Sequence, residues 1–482
     1  MDVARKVARN ALYNFSALLV GNISGLFLAI ILARILKPEN FGIYSLALSI
    51  AMLAIAFSNL GIDGAVVRYT AFYIGRGDLK KVRGHLHYFF KIKFVLALTV
   101  AAILILSSKE LASFFRDERL AIPFMITGGI VFFASLANFF NSFFIGLQEF
   151  RYYFLKQTIY ELCRWIFGLP LALVFLAVGI LVGYSISYFI AFLFLLFVAL
   201  SKYKKLVKGE RGEPDRASRK FMGFMTLASI SGILYMYVDS VMIGYFLGAI
   251  EVGFYRAGYT VVFALIGLVS SLSSVLFPTF TQLSDKEIKL ALDRLVRYTS
   301  LVAFPFSVMI FYLSEEIIKV VFGSDYLAAV PAMTVLSFVL IPGAFNYLLT
   351  IFNARERADI SAYLITASMV LNVLLNYFLI LTMGIAGAAF ATLISRFFLV
   401  TGVVILLIRF FGITPDFRVC VKPSIATMVL LLTLAVFPKP VSLLMGLLEI
   451  SVGGTVYLLA VFLMKSLTRD DIVYIANLIK IR

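Results

Sequence analysis

The stretch PENFGIYSLA, residues 38–47, lies between two long apolar runs and recurs in altered form as AIEVGFYRAG, residues 249–258. A glycine and a tyrosine two residues later align in both copies, with Gly42 and Gly253 at an offset of 211 residues. Further on, AVGILVGYSISYFI resembles TMGIAGAAFATLIS at an offset near 205. The pattern predicts two homologous units of six helices. Because six is even, both units have the same orientation and the repeat is parallel.

Apolar residues dominate the chain. Of its 482 residues, 62% are hydrophobic and only 14% are charged, whereas a soluble domain is about half apolar and about a quarter charged. A helix that spans a bilayer needs ~20 apolar residues, and the sequence contains fourteen such runs. The apolar segment after MDVARKVARN is of full spanning length, so we expect no cleavable signal peptide. The sequence predicts an all-α polytopic membrane protein with fourteen transmembrane helices.

The basic residues are distributed unevenly over the connections between these helices. By our count about 33 of the 43 Lys and Arg lie on the amino-terminal side of the membrane, in alternate connections. Cytoplasmic connections carry such an excess of positive charge, so both termini are predicted to face the cytoplasm. The net charge of +17 is therefore interpreted as an orientation signal and a contact with membrane lipids, and no nucleic-acid partner is expected.

The longest polar connection lies between the two repeat units and is predicted to be a flexible linker. The last two helices lie outside the repeat, and the tail after them has one apolar face, which is typical of an interfacial helix. The predicted divisions are a first six-helix lobe (1–201), a cytoplasmic linker (202–220), a second six-helix lobe (221–411), helices 13 and 14 (412–466) and a cytoplasmic interfacial helix (467–482).

The sequence lacks the residue patterns of a structural disulfide, a metal site and an ATP-binding loop. Cys163 and Cys420 are predicted to lie in different helices, so no structural disulfide is expected. His85 and His87 have no further metal ligand nearby in the sequence, and we predict neither a metal site nor a cofactor. The ATP-binding pattern G-x-x-x-x-G-K-[ST] does not occur. Transport would then draw on an ion gradient, the membrane potential or consumption of the substrate on the far side.

Three stretches carry a resemblance to a known family: LARILKPENFGIYSLALSIAMLAIAFSNLGIDGAVVRYTA, YVDSVMIGYFLGAIEVGFYRAGY and MGIAGAAFATLISR. They resemble the polysaccharide transporters, or Wzx-like oligosaccharide flippases. This family belongs to the multidrug/oligosaccharidyl-lipid/polysaccharide exporter superfamily, together with multidrug extruders and lipid II flippases. The similarity extends over essentially the whole chain. It implies two lobes around a central cavity that opens alternately to either side, with a lipid-tail groove near the last two helices.

The resemblance also implies a function. The expected substrate is a polyprenyl-(pyro)phosphate-linked oligosaccharide, moved across the cytoplasmic membrane of a prokaryote for surface polysaccharide or glycoconjugate assembly. The expected protein is a monomer, not an enzyme, and H⁺ or Na⁺ is a possible coupling ion. One alternative is an ion-coupled multidrug antiporter of the same superfamily. Another is a membrane-embedded glycosyltransferase or glycan polymerase, although the outer connections are short and have no Asp-x-Asp pattern.

Three arginines are candidate ligands for the substrate phosphate. Arg396 is predicted to lie ~13 Å from the outer end of its helix, near the middle of a ~30 Å hydrocarbon core, where it must face protein or water. An internal ion pair would also explain it. Arg34 and Arg256 are predicted at the outer ends of their helices, where they could form a rim that receives phosphate or simply reach toward the interface.

Asp239 is predicted at a depth in the membrane similar to that of Arg396, and it is the acidic counterpart of that candidate. Its carboxylate could pair with Arg396, bind a proton or sodium ion, or contact the substrate. The ion pair is favoured, because an isolated charge at that depth is costly.

Other intramembrane polar residues are less specific. Glu161 and Arg164 are spaced i, i+3 and are expected to pair with each other, and Glu449 is a possible coupling site with no evident partner. The residues that could line a path for sugars, or form hydrogen bonds between helices, are Tyr235, Asn138, Asn141, Asn346, Asn372 and Asn376.

Overall fold

The computed structural model describes residues 2–213, 216–437 and 443–466. These residues form helices and short connections. Nine helices are long and apolar enough to cross a membrane, or ten if one bent pair is counted as a single span, among the residues described. The prediction of an all-α polytopic membrane protein is confirmed at this level. The predicted interfacial helix at 467–482 lies outside the described residues.

The first half of the chain forms eight helices. Their bounds are α1 Asp2–Asn59, α2 Ile62–Gly75, α3 Leu79–Leu106, α4 Ser108–Phe114, α5 Ala121–Gly146, α6 Phe150–Cys163, α7 Leu169–Lys202 and α8 Lys204–Val207. A π-helical segment, Arg164–Gly168, joins α6 to α7.

The second half forms ten helices. Their bounds are α9 Arg216–Phe246, α10 Ala249–Gln282, α11 Asp285–Tyr312, α12 Ser314–Ile317, α13 Val330–Ser337, α14 Leu340–Gly343, α15 Leu349–Ala354, α16 Ala358–Phe411, α17 Val421–Val436 and α18 Leu443–Leu463.

Three of the longest helices consist of two helices joined at one non-helical residue. The junctions are Lys37 in α1, Leu176 in α7 and Gly384 in α16, each with a positive φ. Lys37 precedes Pro38, and the residue before a proline is disfavoured in the helical conformation. Gly384 adopts φ 60°, which glycine does without steric cost. Each junction therefore separates two apolar segments with a minimal connection.

The region before α16 is a broken helix. Ser324–Ser337 and Leu340–Ala354 meet at an angle of 50°, and Pro342 and Gly343 lie in the first turn after the break. Proline lacks the amide hydrogen that an unbroken helix requires, which explains the interruption.

The connection between the two halves packs against α3. In the described part of it, the Gly212 amide donates to the Lys80 carbonyl at 2.8 Å, and the Arg83 side chain donates to the Lys205 carbonyl at 2.8 Å. The helix α9 already begins at Arg216, within the predicted linker. The composition of this connection predicts a flexible linker. In the structure, hydrogen bonds from Arg83 and from the Gly212 amide attach it to α3.

The two halves meet most closely where α1 crosses α10. A methyl group on Gly42 would overlap the Ala249 carbonyl, and one on Gly253 would overlap the Pro38 carbonyl. Close approach of two transmembrane backbones requires small residues. The two glycines that align in the sequence repeat therefore pack against each other, and the core around this crossing contains residues from both halves.

Candidate functional site

A central cavity of about 660 Å³ lies between the two halves. Its walls come from α1, α7, α9, α10 and α16, with Asn346 and Leu349 from the broken helix. Two arginines, Arg256 and Arg396, reach its surface, and the described lining includes no Asp or Glu. The cavity therefore presents positive charge, aromatic rings and amide groups.

Arg396 is 9% exposed and faces this cavity from α16. Its guanidinium carbon lies 4.8 Å from the Tyr235 ring centroid and 5.4 Å from that of Phe263. Its Nε is buried and has no hydrogen-bond partner among the described residues. Cation–π contact holds the charge in place without neutralising it, which leaves hydrogen-bonding capacity for an anion.

Arg256 also lines the cavity, so its predicted place at an outer rim is wrong. The helix α10 begins at Ala249, and seven residues at ~1.5 Å each carry Arg256 ~10 Å inward. Its guanidinium carbon lies 5.5 Å from the Tyr237 ring centroid and 4.7 Å from that of Tyr259. Within the described chain, the buried Nη1 has no hydrogen-bond partner.

Arg34 does not reach the cavity. Its Nε donates to the Val321 carbonyl at 2.8 Å and its Nη2 donates to the Val320 carbonyl. These carbonyls belong to the π-helical turn Ile318–Phe322, whose final carbonyl groups lack helical partners. The arginine joins α1 to the second half of the chain.

Asp239 forms no ion pair with Arg396, so the favoured interpretation of this carboxylate is wrong. Asp239 is 3% exposed and accepts hydrogen bonds from Tyr255 Oη at 2.7 Å, Thr392 Oγ1 at 2.6 Å and Asn376 Nδ2 at 2.7 Å. Three neutral donors satisfy the carboxylate while Arg396 stacks on aromatic rings. The two side chains therefore perform separate tasks.

The Asp239 cluster is connected to the cavity by a chain of hydrogen bonds. Asn376 Nδ2 also donates to Asn372 Oδ1 at 3.0 Å. Asn372 Nδ2 donates to Ser395 Oγ at 3.4 Å, and Tyr235 Oη donates to the same oxygen at 3.0 Å. Tyr235 lines the cavity, and its ring contacts Arg396. Four side chains thus connect the buried carboxylate to the cavity wall.

The pairing predicted for Glu161 and Arg164 is confirmed. The two side chains form an i, i+3 ion pair with little exposure, and Ser24 Oγ donates to Glu161 Oε2 at 2.7 Å. Arg164 Nη1 donates to Tyr184 Oη at 2.8 Å, and Tyr184 lines the cavity. The pair positions a tyrosine of the wall and leaves no free charge there.

The remaining candidates are dispersed. Asn346 lines the cavity, whereas Asn138 and Asn141 are not among its lining residues, and Asn372 and Asn376 belong to the Asp239 cluster. Glu449 in α18 is 4% exposed, and its Oε2 has no hydrogen-bond partner in the part of the chain described. Of the predicted sugar path, only Tyr235 and Asn346 contact the cavity.

Sequence reasoning named Tyr235 but missed the other aromatic residues and the hydroxyl donors of the site. Tyr259 and Phe263 stack at 3.6 Å between ring centroids. Thr392 and Ser395 lie within segments already quoted for the repeat and the resemblance. Tyr259 and Phe263 follow Arg256 at i+3 and i+7, a spacing that could have indicated a common face of the helix.

One end of the cavity is closed by contacts between the halves, which we call the closed face: Gly42 with Gly253, Arg34 with Val320 and Val321, Lys37 with Asp325 and Tyr326 with Ala33. The Lys37 Nζ to Asp325 Oδ2 distance is 2.8 Å, and Tyr326 Oη donates to the Ala33 carbonyl at 2.8 Å. Near this face Arg119 binds Asp117 and Glu39, and it lowers the pKa of the Asp117 carboxyl.

Known proteins are similar to this chain in sequence and architecture. The family described as "Polysaccharide biosynthesis protein" matches residues 7–284. An uncharacterized membrane protein of Methanocaldococcus jannaschii is 25% identical over 76% of this chain and 77% of its own length. A putative O-antigen transporter of Shigella flexneri is 23% identical over 74% of this chain and 87% of its own.

A solved structure of the lipid II flippase MurJ, in an inward closed conformation, has the same fold. It superimposes with a TM-score of 0.78 at 16% sequence identity, over 93% of this chain and 98% of its own. The family match covers more than half of the chain, and the architecture agrees with it. The chain is therefore a membrane protein of the polysaccharide biosynthesis protein family.

Proposed function

We propose that the protein is an alternating-access flippase that moves a polyprenyl-(pyro)phosphate-linked oligosaccharide across the prokaryotic cytoplasmic membrane. The observation that carries the proposal is the central cavity, which two arginines line and whose described lining has no carboxylate. Guanidinium groups bind phosphate oxygens through strong, charge-assisted hydrogen bonds. The named relatives, an O-antigen transporter and a lipid II flippase, support a lipid-linked glycan as substrate.

The topology that we propose has fourteen crossings. The nine candidate membrane spans among the described residues become twelve when α1, α7 and α16 are each divided at their kinks. The broken helix before α16 and the apolar segment Leu448–Leu463 supply two more. With both termini in the cytoplasm, the closed face lies outside and the cavity opens inward. The two six-helix units and helices 13 and 14 are the corresponding divisions, and we propose a functional monomer.

Arg396 is the proposed ligand for the substrate phosphate. Arg396 contacts the ring of Phe263, which is seven residues beyond Arg256 on α10. Arg396 therefore lies farther from the closed face than Arg256. A substrate that arrives from the inner leaflet keeps its lipid in the bilayer and its phosphate near the opening, while the sugars extend inward. Tyr235 and Asn346 then line the path of the first sugars.

Asp239 is the proposed coupling site. A buried carboxylate with neutral donors and no cationic partner within the described residues can accept a proton or bind Na⁺. The hydrogen bonds through Asn376, Asn372 and Ser395 to Tyr235 would transmit occupancy to the Arg396 site. No covalent step is proposed, because the function requires none.

Polarity separates this proposal from the multidrug alternative. A site for cationic drugs needs carboxylates, or aromatic rings that are not already in contact with a positive charge. This cavity instead contains two guanidinium groups, Arg256 and Arg396. Like charges repel each other, so these two guanidinium groups disfavour a cationic ligand. A phosphate-linked glycan fits the observed charges, so the multidrug alternative is disfavoured.

The test is transport in vesicles that contain the purified protein. A fluorescent polyprenyl-diphosphate disaccharide is placed in one leaflet, and its movement is followed by quenching from outside. We expect wild-type protein to move it and Arg396→Ala to slow it at least tenfold, because loss of a charge-assisted hydrogen bond costs about 1.5–3 kcal/mol. Arg409→Ala, an exposed arginine at the end of the same helix, is the control. Equal rates for both variants would overturn the assignment of Arg396.

A further inference from the structure

A glycine and a tyrosine recur at equivalent positions of the two repeat units. Gly42 and Tyr44 belong to α1, and Gly253 and Tyr255 belong to α10 at the same offset of 211 residues. The two glycines pack against each other at the closed face. Residues i and i+2 of an α-helix project about 200° apart, so each tyrosine points away from the crossing. Each Gly-x-Tyr element therefore connects the closed face with the interior of its own half of the chain.

The tyrosine of the first half leads to an internal ion pair. Tyr44 Oη lies 2.8 Å from Tyr184 Oη, which accepts a hydrogen bond from Arg164 Nη1 at 2.8 Å. Arg164 is paired with Glu161 in the same half of the chain. Because these two charges compensate each other, this hydrogen-bond chain is stable without a bound ion.

The tyrosine of the second half leads to a carboxylate whose described donors are all neutral. Tyr255 is fully buried and donates to Asp239 Oδ2 at 2.7 Å, alongside the donors Thr392 and Asn376. A hydrogen bond to an ionised carboxylate is roughly twice as strong as one between neutral groups. A proton or Na⁺ on Asp239 would therefore weaken the hold on Tyr255. The same element has a fixed end in one half and an end that responds to occupancy in the other.

We propose that Tyr255 couples occupancy of Asp239 to the Gly42–Gly253 contact, and that Tyr44 is its ion-independent counterpart. The inference rests on the flippase function and the coupling site proposed above. Gly253 and Tyr255 lie within one turn of α10, so separation of the two glycines displaces the tyrosine as well. An ionised Asp239 holds Tyr255 and keeps the crossing closed, whereas an occupied Asp239 favours its opening.

The test measures the closed face directly with a pair of spin labels. Cysteines replace Glu118 in the first half and Ala328 in the second, both exposed, and alanine replaces Cys163 and Cys420. Double electron–electron resonance in lipid nanodiscs gives the ratio of open to closed populations. Exchange of KCl for NaCl at constant pH is one arm, and a lower pH in KCl is the other, so the arms identify the ion. Occupancy should raise the ratio about tenfold in the wild type, the factor that loss of one charge-assisted hydrogen bond contributes.

Two matched variants separate transmission from a merely structural role. Tyr255→Phe should reduce the ion response to about twofold, since its ring remains while its hydrogen bond is lost. Tyr44→Phe removes the equivalent hydroxyl and should shift the ratio toward open, but it should keep the response of about tenfold. Thermal unfolding with and without the ion shows whether each variant still binds it, with Asp239→Asn as the reference that lacks the site.

Four results would overturn the inference. They are a wild type whose labels respond in neither arm, an unchanged response in Tyr255→Phe, equal losses of response in the two tyrosine variants, and loss of ion binding in Tyr255→Phe. The last result would make Tyr255 a part of the ion site and not its link to the crossing. Flipping of the fluorescent probe by the wild type is measured separately, so failure of the flippase function is distinguishable from failure of this link.

Discussion

Gly42 and Gly253 occupy equivalent positions in the sequence repeat and pack against each other where α1 crosses α10. A side chain on either residue would overlap a backbone carbonyl of the other helix. The contact closes one end of a cationic cavity and must separate if that end is to open. Two glycines thus link the internal repeat to the proposed transport cycle.

Replacement of Gly42 by alanine should push α1 and α10 apart. The atoms that the new methyl group meets belong to backbone, which cannot rotate away as a side chain would. A reporter cysteine at Thr260 in the cavity, with Cys163 and Cys420 replaced by alanine, should become reactive to an impermeant thiol reagent from outside. Gly75→Ala is the control, since nothing lies within 4 Å of its added methyl group. Equal reactivity in the two variants would contradict the closing role of the crossing.

Two polar contacts of the closed face should differ in strength. The Lys37–Asp325 pair is exposed, with side-chain exposures of 67% and 52%, so Lys37→Met should cost at most about 1 kcal/mol. Tyr326 is fully buried and donates to the Ala33 carbonyl, so Tyr326→Phe should cost about 1–3 kcal/mol by leaving that carbonyl unsatisfied. Thermal unfolding in detergent and the Thr260 cysteine assay measure both. A larger effect from Lys37→Met would reverse this order.

Asp239→Asn should abolish the ion dependence of transport. The amide lacks the charge that a proton or Na⁺ would neutralise, and its own donor group would compete with those of Asn376, Tyr255 and Thr392. The measurement is the flipping rate with an imposed Na⁺ or pH gradient, compared with the rate at equilibrium. Tyr255→Phe keeps the carboxylate and should retain the dependence in weaker form. A gradient response in Asp239→Asn equal to that of the wild type would exclude coupling at this residue.

Tyr235 should separate substrate binding from coupling. Tyr235→Phe keeps the ring over Arg396 but loses the hydrogen bond to Ser395, so substrate affinity should remain within about threefold while the response to an ion gradient falls. Tyr235→Leu also removes the cation–π contact and should weaken affinity about fivefold or more, as expected for ~1 kcal/mol or above. Binding of the fluorescent diphosphate probe and gradient-driven flipping report the two effects. Indistinguishable affinities for the two variants would show that the ring does not hold Arg396.

Local sequence patterns determined much of this protein. Apolar runs long enough to span a bilayer predict helices, because every backbone N–H and C=O group must form a hydrogen bond within the hydrocarbon core. The Glu161–Arg164 pair follows from i, i+3 spacing on a single helix. The aligned glycines Gly42 and Gly253 indicate a structural repeat. In each case the relevant partners lie close in sequence or obey a simple periodicity.

Only the tertiary structure decided which polar groups meet. The side chains that donate hydrogen bonds to Asp239 lie 16, 137 and 153 residues away in sequence. Depth in the membrane alone suggested Arg396 as the partner of this carboxylate. Depth gives one coordinate, whereas pairing also depends on how each helix is rotated and which neighbour it faces. That rotation turns Arg256 into the cavity and Arg34 toward backbone carbonyls. It also brings Tyr259 and Phe263 between two arginines, because helix packing fixes all of these faces together.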